Sequence, residues 1–128
     1  MKQNLRLSKS EKEIMDKFWE NEEGFTCTEL VDASPDRSWH KTSAHLLINS
    51  LLAKEFIEVS GFRKSTKNYA RIFKAKFSYE DYAIKIIMVN STADSRKKLM
   101  YKLINEATLE ELEEMKEIIE SQMNKIKL

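Results

Sequence analysis

Between Ser38 and Phe56 the chain reads SWHKTSAHLLINSLLAKEF, gathering Lys41, Thr42, Ser43 and His45 in its first turns, with Asn49 a turn further on. Such side chains can bond base edges and phosphates. Lys41 suits a phosphate or a guanine, Thr42 and Ser43 a phosphate or a thymine methyl, and Asn49 an adenine. A helix start adds free amides and the positive end of the dipole, both favouring an anion. Ala44, Leu47, Ile48 and Leu51 recur at i, i+3, i+4, i+7, which on a helix turns Lys41, Thr42, His45 and Asn49 to the opposite side. An amphipathic helix with a merely solvated face has the same composition, so this stretch alone decides nothing.

A second group of residues tilts the balance. RKSTK, residues 63–67, places Arg63, Lys64 and Lys67 between the alternating stretches FIEVSGF and NYARIFKAKF, at an expected hairpin tip. A connection that only had to turn would more often carry Gly or Asn. A solubilising loop is the alternative. Together, a groove-sized helix and a basic hairpin that can lie along phosphates predict a winged helix-turn-helix.

The elements that must position these groups are legible locally. Ser8 with Glu11, Thr26 with Glu29, and Thr108 with Glu111 each fit the capping box, and Ser78 with Asp81 is a weaker version. From Ser8, the residues Ile14, Met15, Phe18 and Trp19 predict a first helix to about Glu22, ended by Gly24. A short second helix is expected from about Cys27 to Ala33, and Pro35 bars its continuation. Ser38 is the expected cap of a third helix from Trp39 to about Lys54, followed by the hairpin. Beyond it, YEDYAIKIIMVN is an apolar-rich helix that breaks near NSTADS, and a second segment runs from about Ala93 to Asn105. The last helix aligns Leu109, Leu112, Met115, Ile119, Met123 and Ile126 in one stripe. At about 20 residues it is marginal alone and asks for a partner helix. Folding back on its own domain is one way to satisfy it; a second subunit is the other, and favours reading a palindrome.

The expected fold class is therefore mainly α with a small β-hairpin wing. Residues 1–77 would form the winged-helix DNA-binding domain and 78–128 a helical dimerisation region. Charge agrees with that division. The net of +1 is uninformative, but residues 1–35 carry −3, residues 36–76 carry +6 and residues 77–128 carry −2. A basic centre is what a domain meeting a polyanion needs.

Several other chemistries find little support. The single cysteine, Cys27, excludes an intramolecular disulfide or a cysteine metal cage. His40 and His45 stand at i, i+5 rather than the i, i+4 of a helical metal pair, so no metal or other cofactor is expected. No phosphate loop or nucleophile elbow appears, and the acidic run EELEEMKEIIE reads as a solvated helix surface, so an enzyme is not expected. No apolar run approaches the roughly 18 residues of a membrane span, and the N-terminus turns charged before any signal-like segment, which predicts a cytoplasmic location without membrane insertion. Trp19 and Trp39 read as packing residues. Tyr79, Tyr82, Met88 and Met100 could line a small-ligand pocket in the C-terminal region, although core packing explains them as well.

LSKSEKEIMDKFWE, SWHKTSAHLLINSLLAKEFIEV and KNYARIF resemble the penicillinase-repressor family, which includes methicillin-resistance and copper-responsive repressors. The resemblance runs from about Leu7 through the terminal helix. It implies a homodimeric transcriptional repressor whose winged helix binds double-stranded operator DNA and whose C-terminal helices join two subunits. It also implies a membrane sensor with a metalloprotease domain as the agent that relieves repression. The chain departs from the family pattern in three places. His45 and Ser50 stand where arginine is common, which lowers the electrostatic share of binding. The cysteine cluster of the copper-responsive branch is missing, and LMYKLINEAT lacks the Asn-Phe pair at which cleaved members are often cut. The missing arginines leave a rival open, a winged-helix protein-interaction module that has lost DNA binding.

Overall fold

A computed structural model describes residues 4–64 and 66–128. In chain order the elements are α1 (Lys9–Glu20), α2 (Cys27–Asp32), a single 3-10 turn (Lys41–Ser43), α3 (Ala44–Ala53), β1 (Ile57–Lys64), β2 (Tyr69–Ala75), α4 (Tyr79–Asn90), α5 (Ala93–Glu106) and α6 (Leu109–Lys127). Two compact units result, one extending to Ile86 and one from Ile87 to Leu128.

In the first unit, α1, α2 and α3 bury Ile14, Met15, Phe18, Leu30, Ile48 and Leu51 against Phe56, Ile57 and Phe73 of the hairpin and its approach. Burying each such side chain contributes roughly 1.5–3 kcal/mol, so this cluster fixes how the helices cross. All three capping boxes form. Ser8, Thr26 and Thr108 accept from the amides of Glu11, Glu29 and Glu111, whose carboxylates accept from the cap amides in return. At Ser78 only half the motif forms: its hydroxyl accepts from the Asp81 amide at 3.0 Å.

The start of the third helix differs from the sequence expectation. Ser38 does not cap it, because its amide and hydroxyl both donate to the Glu13 carboxylate on α1. Trp39 is buried to 6% exposure ahead of the helix, with the Arg37 guanidinium over its ring. Holding that indole in the core keeps the backbone extended, and the chain enters α3 through the 3-10 turn, with His40 as an N-cap that makes no side-chain bond. Gly24 does not end the first helix either. Asn21 caps α1, and Gly24 lies three residues on with φ +85°, where an added Cβ would sit 2.2 Å from the Phe73 carbonyl oxygen. That close approach lets Phe25 pair with Phe73 through two backbone hydrogen bonds of 3.0 and 2.8 Å, an isolated antiparallel bridge beside the two-stranded hairpin.

The other end of α3 closes in a Schellman motif. The Phe56 amide donates to Leu51 at 3.0 Å, the Glu55 amide donates to Leu52 at 3.1 Å, and Glu55 takes the left-handed φ of 64°. The turn sends Phe56 and Ile57 into the core and starts β1. The hairpin then pairs antiparallel from Ile57 with Ala75 to Lys64 with Tyr69, with a bulge between Val59 and Gly61. Arg63 and Lys64 therefore belong to the strand rather than to the tip; Ser65, also within the expected tip, lies outside the described residues.

Trp19 is half-buried and donates from Nε1 to the Phe77 carbonyl at 3.0 Å, with the rings of Tyr79 and Tyr82 packed on it at 5.4 and 5.2 Å. In the second unit, Thr92 caps α5 through the Ser95 amide. None of its described residues is buried. Leu109, Leu112, Ile119, Met123 and Ile126 are exposed along α6, and Met115 is half-buried. Among the described residues no helix is long and apolar enough to cross a membrane.

Candidate nucleic-acid interface

Because Ala44, Ile48 and Leu51 of α3 point into the core, the helix has one face left over. His40, Lys41, Thr42, His45 and Asn49 are exposed on it, and Ser43 is half-buried at the junction of the 3-10 turn and α3. An open cavity in front of this turn is lined by Pro35, Arg37, Ser38, Trp39, His40, Lys41 and Thr42. Leu46, also on α3, is 73% exposed, an apolar group of the kind that can meet a thymine methyl.

The hairpin brings its cations to two different faces. Cross-strand partners share a face, and the pairing sets Lys64 opposite Tyr69 and Phe62 opposite Arg71, so these four lie together. Arg63, opposite Ala70, lies on the other face, where its Nε stands 2.8 Å from Oε2 of Glu29 on α2. Lys64, Lys67 and Arg71 are exposed, and the Arg71 guanidinium also lies 5.1 Å from the centre of the Phe73 ring. Strand alternation, a signal present in the sequence, puts Arg71 on the same face as Lys64 and adds a cation to the hairpin.

Helix α3 is held in place from beneath. Glu11, only 3% exposed at the start of α1, accepts from the Ser8 amide, the Ser50 hydroxyl and the Lys54 ammonium, each at 2.8 Å. Lys54 also donates to the Arg6 carbonyl at 2.9 Å. Burial alone would raise the Glu11 carboxyl, but the Lys54, Ser8 and Ser50 hydrogen bonds outweigh it and hold it at about 2, against an ordinary 4.5. Ser50 is therefore turned inward as a strut between α3 and α1. A second tie joins Ser38 to Glu13, and it lowers that exposed carboxyl as well. Helix α3 is thus anchored to α1 both just before its first turn and at its last.

Two helices, a third entered through a 3-10 turn and exposed along one polar face, and a basic hairpin after it define a winged helix-turn-helix protein. A family model described as penicillinase repressor matches residues 7–121, and the chain belongs to that family. It is accordingly a DNA-binding transcriptional repressor, a regulatory protein and not an enzyme. No curated protein matches the chain. Among solved structures, the adhesin competence repressor AdcR of Streptococcus pyogenes is similar over 95% of this chain and 82% of that one, with a TM-score of 0.44 and 15% identity.

Proposed function

We propose that the protein represses transcription as a homodimer bound to a palindromic operator, each protomer placing the Lys41–Ser43 turn and α3 in the major groove. Lys41, Thr42, Ser43, His45 and Asn49 face the bases and nearest phosphates, while Arg63, Lys64 and Lys67 hold the backbone alongside. The observation that carries this reading is the division of α3. Its apolar side is spent in the core, and every polar side chain named for base contact except Ser43 is left exposed.

Residues 1–77 act as the reading domain and 78–128 as the dimerisation region in this account. Leu109, Leu112, Met115, Ile119, Met123 and Ile126 form the dimer seam. Support comes from the lack of any buried described residue in the second unit, because a helical unit with no core of its own needs another surface to cover its apolar stripe. The charge along α6 suits a second copy. Glu110, Glu111, Glu113, Glu114, Glu117 and Glu120 crowd its first two-thirds, Lys125 and Lys127 its end. An antiparallel pairing of two such helices sets acid against base at both ends. The cytoplasm is the location such a role requires. A membrane sensor with a metalloprotease domain is the releasing agent implied by the family. Mass spectrometry of the chain before and after induction would show whether a cut is made ahead of α6.

The test is selection of bound fragments from the source genome, followed by titration of the best fragment at several salt concentrations. Wild type should lose affinity steeply as salt rises, and Lys64→Ala should weaken binding to every sequence and lower the slope by about one per protomer. Equal affinity of wild type and variant at all salts removes the wing from the mechanism. No salt-dependent binding by wild type leaves the protein-interaction module as the better reading.

A further inference from the structure

The ion pair between α2 and the hairpin joins an acidic residue to the basic wing. Glu29 is the N3 residue of the α2 capping box, and its two carboxylate oxygens do different work. Oε1 accepts from the Thr26 amide at 2.9 Å, and Oε2 stands 2.8 Å from Arg63 Nε. The Thr26 hydroxyl in turn accepts from the Glu29 amide at 3.2 Å, so the carboxylate is fixed by the helix end that it caps. Arg63 keeps 53% of its side chain exposed, and among the described residues its guanidinium has no hydrogen-bond or ion-pair partner other than Glu29. An ion pair at the Nε edge narrows the range of directions open to this planar group and leaves its terminal N–H groups without another partner among the described residues.

We propose that Glu29 is a positioning residue, holding the Arg63 guanidinium by its Nε so that its terminal nitrogens are presented to a DNA phosphate. The inference rests on the DNA-binding reading given above. It places α2 and the hairpin in one unit for backbone contact, the helix cap supplying the rigidity and the arginine the charge. Without the carboxylate, Arg63 would be a long side chain on an exposed strand, ordering itself at the moment of binding and losing part of its contribution.

Sign makes the proposal testable. A carboxylate near a polyanion that does nothing else repels it, so its removal should tighten binding and leave the salt slope unchanged or steeper. A positioning carboxylate gives the opposite result. In Glu29→Gln the amide oxygen still accepts from the Thr26 amide, so the cap is kept, and a thermal melt checks that the fold is too. Binding of the full-length variant to the selected fragment should weaken about threefold to fivefold, the scale of an exposed ion pair, and the salt slope should fall although the protein has become more positive. Arg63→Ala should weaken binding further, and adding Glu29→Gln to it should change nothing more, because the two act as one. Arg63→Lys, which keeps the charge and lacks the planar fork, should resemble Glu29→Gln and serves if that variant melts early. Unchanged or tighter binding by Glu29→Gln, or additive losses in the double variant, would overturn the proposal while leaving DNA binding standing. Failure of wild type to bind any fragment would instead bring down the reading beneath it.

Discussion

Glu11→Gln should separate the protein's stability from its charge in a pH-dependent way. The native carboxyl is held at about 2 instead of 4.5 because the Lys54 ammonium, the Ser8 amide and the Ser50 hydroxyl together outweigh its burial. At about 1.4 kcal/mol per pH unit, that difference corresponds to roughly 3 kcal/mol of stability carried by the ionised form. A carboxyl whose folded pKa is depressed contributes this in full above its unfolded value of 4.5, and loses it as pH falls towards 2. Gln keeps one oxygen to accept from the Ser8 amide and turns its NH2 to the Ser50 hydroxyl, which then accepts instead of donating, so the variant removes chiefly the charge opposite Lys54. Urea unfolding at fixed protein concentration should therefore show the variant roughly 3 kcal/mol less stable at pH 7. The gap should narrow steadily between pH 5 and pH 2. A gap that is the same at pH 7 and pH 3 would refute the reasoning, since it would mean that shape or packing rather than ionisation carries the effect.

Gly24→Ala forces a Cβ to within 2.2 Å of the Phe73 carbonyl at a φ of +85°, so the Phe25–Phe73 bridge must open. Strain and two lost hydrogen bonds predict roughly 2–4 kcal/mol of destabilisation by urea titration, and a neutral result would contradict the close approach. Asn49→Ala should change preference among operator variants by about 1–3 kcal/mol in a competition assay; uniform loss across them would show that Asn49 does not read bases. Ile119→Glu removes an apolar side chain from both sides of the proposed seam, at roughly 1.5–3 kcal/mol each, so sedimentation equilibrium should show dimerisation weakened a hundredfold or more. An unaltered dimer would move the seam elsewhere.

Features written in a few adjacent residues were legible in the sequence. A Ser or Thr three residues ahead of a Glu announces a capping box because both partners sit within one turn, and at Ser8, Thr26 and Thr108 the structure forms it. The hairpin alternation and the polar face of α3 are equally local. Features depending on distant partners were not. Ser38 looked like a helix cap until Glu13, 25 residues away, claimed both its donors. Glu55 ends α3 in the left-handed conformation that glycine usually takes, held there by the Schellman hydrogen bonds and leaving no mark in the residue type. Glu11 reads simply as a capping-box residue. Its second oxygen turns out to hold Ser50, 39 residues on, a tie that braces α3 against α1. At the hairpin, counting Arg63, Lys64 and Lys67 gave the charge but not its direction, which pairing register alone determines.

The slope of log affinity against log salt, measured for wild type on its selected operator fragment, tests the central claim most directly. Lys41, Arg63, Lys64 and Lys67 from each of two protomers would release counterions from about eight phosphates, and the expected slope is about −7. A slope near zero, at any affinity, would contradict the account, because these cations could then not be neutralising phosphates.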